Sequence, residues 1–197
     1  MAATATPYGL RPVGLLGGRV YNQAMRLIPI ATTYGTLIGM GDVVKIAAGT
    51  INKDTGTTSA TPVGIFMGCY YTDPNSKQPS YHQSWPASTA ATDAVAYVVD
   101  DPDVVFQIQA DGAVLFDDIG NNAALIQGTV SANGLSTVAL QASSINTTNT
   151  LPIRIIDWIN PGTGVTAAAA LTDAFPEVLC IWNWGMHQYR QATGYGN

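Results

Sequence analysis

Apolar and polar residues alternate most clearly between Asp93 and Ala110, and this stretch predicts a pair of β-strands. The run Ala94–Val99 predicts the first strand, and residues 100–103 predict the turn that follows it. In the second strand apolar residues stand at every second position: Val104, Phe106, Ile108 and Ala110. A period of two residues is typical of a strand that buries one face.

The other apolar runs are short, rich in β-branched residues and separated by turn residues. They predict strands at Leu27–Ile30, Val43–Ile46, Val63–Tyr71, Leu151–Ile159 and Glu177–Trp184, with shorter strands at Ser80–Pro86 and Ser131–Leu140. Short strands at fairly regular spacing are typical of sandwiches and barrels. We therefore predict an all-β fold, which is either an antiparallel barrel or a jelly-roll-like sandwich.

Three stretches interrupt this β pattern. One short helix is predicted within Ala113–Gly128, where Ile119, Ala123, Leu125 and Ile126 stand at mixed helical spacing. The polar stretch Gln141–Thr150 predicts a loop, as do the turn-rich residues 47–62. The run Ala167–Ala170 has helical composition but is too short to form a helix without packing.

The sequence predicts three parts: an extended arm over residues 1–27, a β domain over 28–184 and a tail over 185–197. Prolines and glycines interrupt every possible helix in the arm, and its polar residues show no alternation. An arm without a core of its own must lie either on its own domain or on a neighbouring subunit. Strand addition to another subunit is one way to satisfy its backbone.

The composition excludes several functional classes. Only 11% of the residues are charged, against roughly 25% in an average soluble protein, and interface cores are depleted in charge in the same way. The eight Lys and Arg residues are scattered and the net charge is −5, so we expect no nucleic-acid partner. There is no secretory signal and no apolar run of the length that a membrane span needs, so we expect no membrane partner and synthesis in a cytoplasm.

The candidate catalytic motifs have simpler interpretations. Asp54-Thr55-Gly56-Thr57 matches the aspartic-protease signature, but polar residues precede it, and the same residues favour a turn. The acidic residues Asp100, Asp101, Asp103, Asp117 and Asp118 offer oxygen ligands for Ca²⁺ without EF-hand spacing. Cys69, Cys180, His82 and His187 have no zinc-ligand spacing, and we expect both cysteines to be buried. We therefore expect no catalytic residue, no cofactor and no metal.

Four tryptophans have two possible roles, in the core or in an aromatic contact surface. Trp182 and Trp184 would share one face of a strand, and the others are Trp85 and Trp158. A position in the core is the simpler interpretation.

Several blocks of the chain resemble one known family. TPYGLRPVGLLGG in the arm, RLIPIA, GDVVKI, TPVGIFMGCYYTDP, WPAS, AYVVDDPDVVFQIQADG, NTLPIRIIDWIN and NWGMHQY resemble the cement, or decoration, proteins of tailed-bacteriophage capsids. The resemblance implies an all-β structural protein, without enzymatic activity, on the exterior of the virion. It implies binding to the major capsid protein, often as a dimer or trimer, so that neighbouring capsomers are bridged and the mature shell is stabilised.

We expect the arm and the tail to make the contacts with the capsid or with other subunits. By residue type the predicted contact residues are Tyr8, Arg11, Arg19, Tyr189 and Tyr195. Deletion of residues 1–20 is then expected to leave a folded protein that no longer binds capsids. Two alternatives stay open: a tail, fibre or surface module that binds glycans through its aromatic residues, and a hydrolase built on Asp54 or on a Cys–His pair.

Overall fold

The computed structural model describes residues 4–159 and 174–183, and within them the chain forms two antiparallel six-stranded sheets packed as a sandwich. The all-β prediction is confirmed, and of its two forms the sandwich is the correct one. The tail 185–197, the run Ala167–Ala170 and the residues Trp184 and His187 lie outside the described residues.

Sheet A combines the first strand of the chain with the strands of its second half. Its order across the sheet is β1 (Arg11–Leu15), β8 (Val104–Gln109), β12 (Glu177–Trp182), β11 (Ile153–Trp158), β9 (Asn122–Ile126) and β10 (Ala139–Asn146).

Sheet B contains the strands of the first half of the chain. Its order is β2 (Arg26–Pro29), β7 (Val95–Val99), β5 (Gly64–Thr72), β3 (Val43–Ala47) and β4 (Thr50–Lys53), and β6 (Pro79–His82) also pairs with β5. The strands β1 and β2 each form an edge of their sheet, and each contains a proline, Pro12 and Pro29.

The central part of sheet B is buried on both faces. Side chains on one face pack against sheet A in a first core: Val43, Ile65 and Val99. The neighbouring residues point the other way into a second core that sheet B and its loops enclose: Val44, Phe66 and Val98. Strands buried on both faces read as continuous apolar runs, which explains why Val63–Tyr71 shows no alternation.

Part of the predicted arm belongs to the fold. Leu10 is 1% exposed, and β1 pairs with β8. Gly9 has φ +78°, and a Cβ there would lie 2.5 Å from Ser136 Cβ and 2.6 Å from Gly41 O. Residues 9–15 therefore lie on their own domain. Deletion of residues 1–20 would also remove an edge strand and a core side chain, so it is not a clean test of binding.

The helix predicted within Ala113–Gly128 is wrong. The residues Phe116–Asp118 form one 3₁₀ turn, and β9 follows. The mixed spacing arose because Asn122–Ile126 lies inside sheet A with four of its five residues buried, so that no polar face marks the strand. The loops predicted at 47–62 and Gln141–Thr150 were also wrong in part, since they contain β4 and most of β10. Pairing with β3 and β9 offsets their polar composition.

A buried ion pair in sheet B is hydrogen-bonded to the segment that follows β9 of sheet A. Lys53 Nζ lies 2.8 Å from Asp42 Oδ2 and donates to Gly128 O at 3.2 Å. Asp42 is completely buried, and its Oδ2 also accepts a hydrogen bond from Gly39 N at 2.8 Å. Because Gly128 follows β9, the lysine at the end of β4 links sheet B to sheet A.

Replacement of Lys53 by Met should destabilise the protein by about 3–5 kcal/mol, because it leaves a buried carboxylate without its counter-charge. The double variant Lys53→Met/Asp42→Asn should recover part of this loss, because Asn is neutral and still accepts from Gly39. Urea unfolding measures both free energies. An unchanged midpoint for Lys53→Met would show that the pair does not hold the sheets.

The tight crossing at Gly9 gives a second prediction, with Gly17 as its matched control. Gly17 has φ +79° but nothing within 4 Å of a built Cβ. Alanine at Gly17 should cost about 1–2 kcal/mol from backbone strain. Alanine at Gly9 should cost about 1–3 kcal/mol more, because it adds overpacking to the same strain. Equal losses in urea unfolding would contradict the close packing of Gly9.

Candidate interaction surface

The exposed apolar side chains are concentrated in the segment that leads from β1 to β2. Half of the ten large hydrophobic residues that are exposed in the described chain lie within fifteen residues. We call these five the N-terminal surface: Val13, Leu16, Val20, Met25 and Leu27. Val20 is 86% exposed and Leu27 56%. Three of them, Val13, Leu16 and Val20, line one groove, and exposed apolar groups that adjoin one another are typical of interaction sites.

Two open grooves run through the N-terminal surface. The first has a volume of about 520 Å³ and is lined in part by Met25, Met40 and Met67. The second has a volume of about 580 Å³ and lies between residues 13–20 and the outer face of sheet A. Val13 lines both grooves. Methionine side chains adapt to irregular surfaces, so the first groove suits a protein partner.

The acidic turn before β8 holds this segment in place. Leu15 N donates to Arg19 O at 2.9 Å, and Leu16 N donates to Asp103 O at 2.8 Å. Arg19 Nη2 lies 2.9 Å from Asp103 Oδ2, and Arg26 Nε lies 2.7 Å from Asp100 Oδ2. Two of the five aspartates considered as Ca²⁺ ligands, Asp100 and Asp103, thus pair with arginines. Across residues 4–159 and 174–183, no group of three His, Cys, Asp or Glu side chains fits a metal.

The predicted contact residues Tyr8, Arg11 and Arg19 lie at or near the surface, but they have partners within the chain. The Arg11 guanidinium carbon stands 3.9 Å above the centre of the Tyr8 ring, and Arg11 also lines the first groove. Burial and the Glu177 carboxylate raise the pKa of Tyr8 above its ordinary range. Tyr189 and Tyr195 lie outside the described residues.

The apolar members of the N-terminal surface were not found from the sequence. Val20 stands between Arg19 and Tyr21, and no periodic pattern distinguishes it from a core residue. The exposure of a side chain depends on which parts of the fold pack against it, so the sequence around Val20 does not indicate that this residue is exposed.

Asp54 is placed as a turn residue. Its carboxylate is buried and accepts hydrogen bonds from Gly56 N at 3.0 Å and Thr61 N at 2.7 Å. Its charged neighbour is Lys45, whose Nζ lies 3.9 Å away. An aspartic-protease site needs a second carboxylate that shares a proton with the first, and the contacts of Asp54 include none.

The Cys–His alternative is also opposed by the local geometry. Cys69 and His82 are cross-strand partners, but the Cys69 thiol donates to Ser84 O at 3.6 Å. The His82 ring stacks on Tyr71 at 4.3 Å. Burial raises the pKa of Cys69 and of Cys180 to about 12. A neutral buried thiol is a poor nucleophile, and the prediction that both cysteines are buried is confirmed.

The tryptophans that the structure describes lie in the core. Trp85, Trp158 and Trp182 are each less than 5% exposed, and the Trp182 ring contacts Phe106 at 5.2 Å. The core interpretation is therefore confirmed for these three.

Comparisons with protein-family models, with curated proteins and with solved structures found no match to this chain. In the described part of the chain, none of the helical structure is long and apolar enough to cross a membrane.

The buried thiols give a prediction that labelling can check. At pH 8 a thiol with a pKa of about 12 is ionised in roughly one molecule in ten thousand. Ellman's reagent should therefore react very slowly with the native protein and should label two thiols per chain once guanidinium unfolds it. Rapid labelling of the native protein would contradict the burial of Cys69 or Cys180.

Proposed function

We propose that this chain is a structural protein of a tailed-bacteriophage virion that binds the outer surface of the icosahedral capsid. Its N-terminal surface is the contact, and its partner is the major capsid protein. The observation that carries the proposal is the concentration of exposed apolar side chains on one segment that the fold itself holds. The resemblance of the sequence blocks to capsid cement proteins supplies the identity of the partner.

The proposed mechanism is linkage between binding and shell stability. A protein that binds the mature shell, but not its dissociated or immature form, stabilises the shell by its difference in affinity. At a concentration one hundred times its Kd, each bound copy contributes about 2.7 kcal/mol. Dimers or trimers that bridge neighbouring capsomers add this free energy to the junctions between capsomers, which must resist the pressure of the packaged DNA.

The charge of the chain supports an outer position. A net charge of −5 with scattered Lys and Arg residues gives no basic patch for the genome. The low charged fraction suits a protein whose surface is covered by partners. The contacts of Asp54, Cys69 and His82 favour this structural role over the hydrolase alternative.

The double variant Val13→Asp/Val20→Asp tests the contact surface. Burial of two unpaired carboxylates in an interface should weaken binding to empty shells by at least about tenfold, while the melting temperature stays near that of the wild type. Co-sedimentation with shells of the phage that carries the chain measures the binding.

The control is Leu115→Asp, because Leu115 is 46% exposed and Val13 is 47% exposed, and Leu115 lies outside the N-terminal surface. This control should bind like the wild type. Electron microscopy of whole particles provides the second readout. Density over capsomer junctions supports the proposal, whereas density at the tail, or undiminished binding of the double variant, overturns it.

A further inference from the structure

Three tyrosines from three neighbouring strands form an exposed group on sheet B. Tyr70 of β5 is the cross-strand partner of Tyr81 of β6, and the rings of Tyr81 and Tyr97 of β7 lie 5.7 Å apart. Tyr81 is 56% exposed and Tyr70 38%. We call these three residues the tyrosine platform. On β7, Tyr97 and Val99 point to the same face of sheet B. Val99 packs against sheet A on that face, and the platform lies further along the same face.

The Tyr81 ring is fixed in place before any ligand binds. Its hydroxyl donates to Met67 O at 2.6 Å. Gly68 lies directly under the ring with φ +127°, and a Cβ there would collide with the ring and its hydroxyl. The ring therefore lies against bare backbone on one side, and more than half of the side chain stays exposed to solvent. A rigid aromatic side chain offers contact area at a low cost in conformational entropy.

A fixed hydrogen-bond acceptor stands at the end of the platform. Thr72 follows Tyr70 by two residues on β5, so it shares the same face about 7 Å away. Thr72 Oγ1 donates to Asp93 Oδ2 at 2.6 Å, and Thr72 N donates to the same carboxylate. These hydrogen bonds lower the pKa of Asp93, so the carboxylate is charged at neutral pH. Its remaining lone pairs face solvent and can accept from a ligand.

We propose that the tyrosine platform binds a neutral oligosaccharide, independently of the capsid contact. The face of an aromatic ring carries partial negative charge and attracts polarised C–H groups, which a pyranose ring presents on its flat side. Sugar hydroxyls donate to Asp93 while the pyranose rings stack on Tyr81 and Tyr70. The nearby carboxylates of Asp73 and Asp93 and the net charge of −5 disfavour acidic sugars, which is why the ligand class is neutral.

Saturation-transfer NMR with the full chain tests the proposal. The probes are cellohexaose, maltohexaose and chitohexaose, with a heparin hexasaccharide as the acidic probe. At least one neutral probe should bind, and the heparin probe should not. Tyr81→Ala and Asp93→Asn should each weaken that binding by at least about tenfold. Phe116→Ala, which removes a 43% exposed aromatic side chain outside both the tyrosine platform and the N-terminal surface, should leave it unchanged.

Gly68→Ala provides a variant that removes no aromatic side chain. Its Cβ displaces the Tyr81 ring, so sugar binding should fall although all three tyrosines remain. Circular dichroism and melting confirm that each variant is folded, and Tyr70→Ala replaces any variant that is not. The proposal is overturned if no neutral probe binds, or if folded Tyr81→Ala binds like the wild type. It is equally overturned if Tyr81→Ala weakens shell binding while the wild type binds no sugar, because the platform is then a protein contact.

Discussion

The buried pair of Lys53 and Asp42 is the interaction on which the rest of the molecule depends. Around it the backbone of both sheets and of the N-terminal segment meets: Gly41 N donates to Phe66 O, Leu10 N to Gly41 O, and Gly9 N to Val138 O. A buried charge needs a partner and hydrogen bonds, and Lys53 makes one of its hydrogen bonds to Gly128 O beyond β9, so this contact favours the observed arrangement of sheets A and B. The N-terminal surface begins three residues after Leu10 and takes its position from this junction.

The contact surface that we propose is held by the fold, so its binding differs in free energy from the binding of a free arm. A free arm loses conformational entropy when it binds, at roughly 1–2 kcal/mol for each backbone residue that becomes ordered. Here β1 is already paired with β8, and the aspartates of the 100–103 turn already hold Arg19 and Arg26. Less of the free energy of apolar burial is then offset by lost conformational entropy, so more of it contributes to the affinity for the partner. The surface is also of fixed shape, which favours one geometry of association.

The sequence was informative where one physical effect dominated. Alternation located β8, and β-branched runs located β3, β5, β7, β11 and β12, because burial and strand geometry act on the same residues. The sequence-based prediction failed at β9, which is buried on both faces. It also failed at β4 and β10, whose polar residues form strands because they pair with β3 and β9. Tyr8 and Arg11 were predicted as contact residues by residue type, and this stays a prediction. Their contact with each other, and the exposure of Val20, are tertiary properties that no local pattern records.

Two of the edge strands, β1 and β2, contain prolines, and this has a consequence for assembly. An open sheet edge is a template on which further strands can add without limit, and a chain with 11% charged residues has little electrostatic repulsion to prevent this. Pro12 in β1 and Pro29 in β2 offer no N–H to an incoming strand, and β1 is also irregular between Pro12 and Gly14. Growth by backbone pairing is thereby discouraged at these two edges, and association there is left to side chains at sites of finite size. A protein with few charged side chains is in this way less prone to form fibres through β1 and β2.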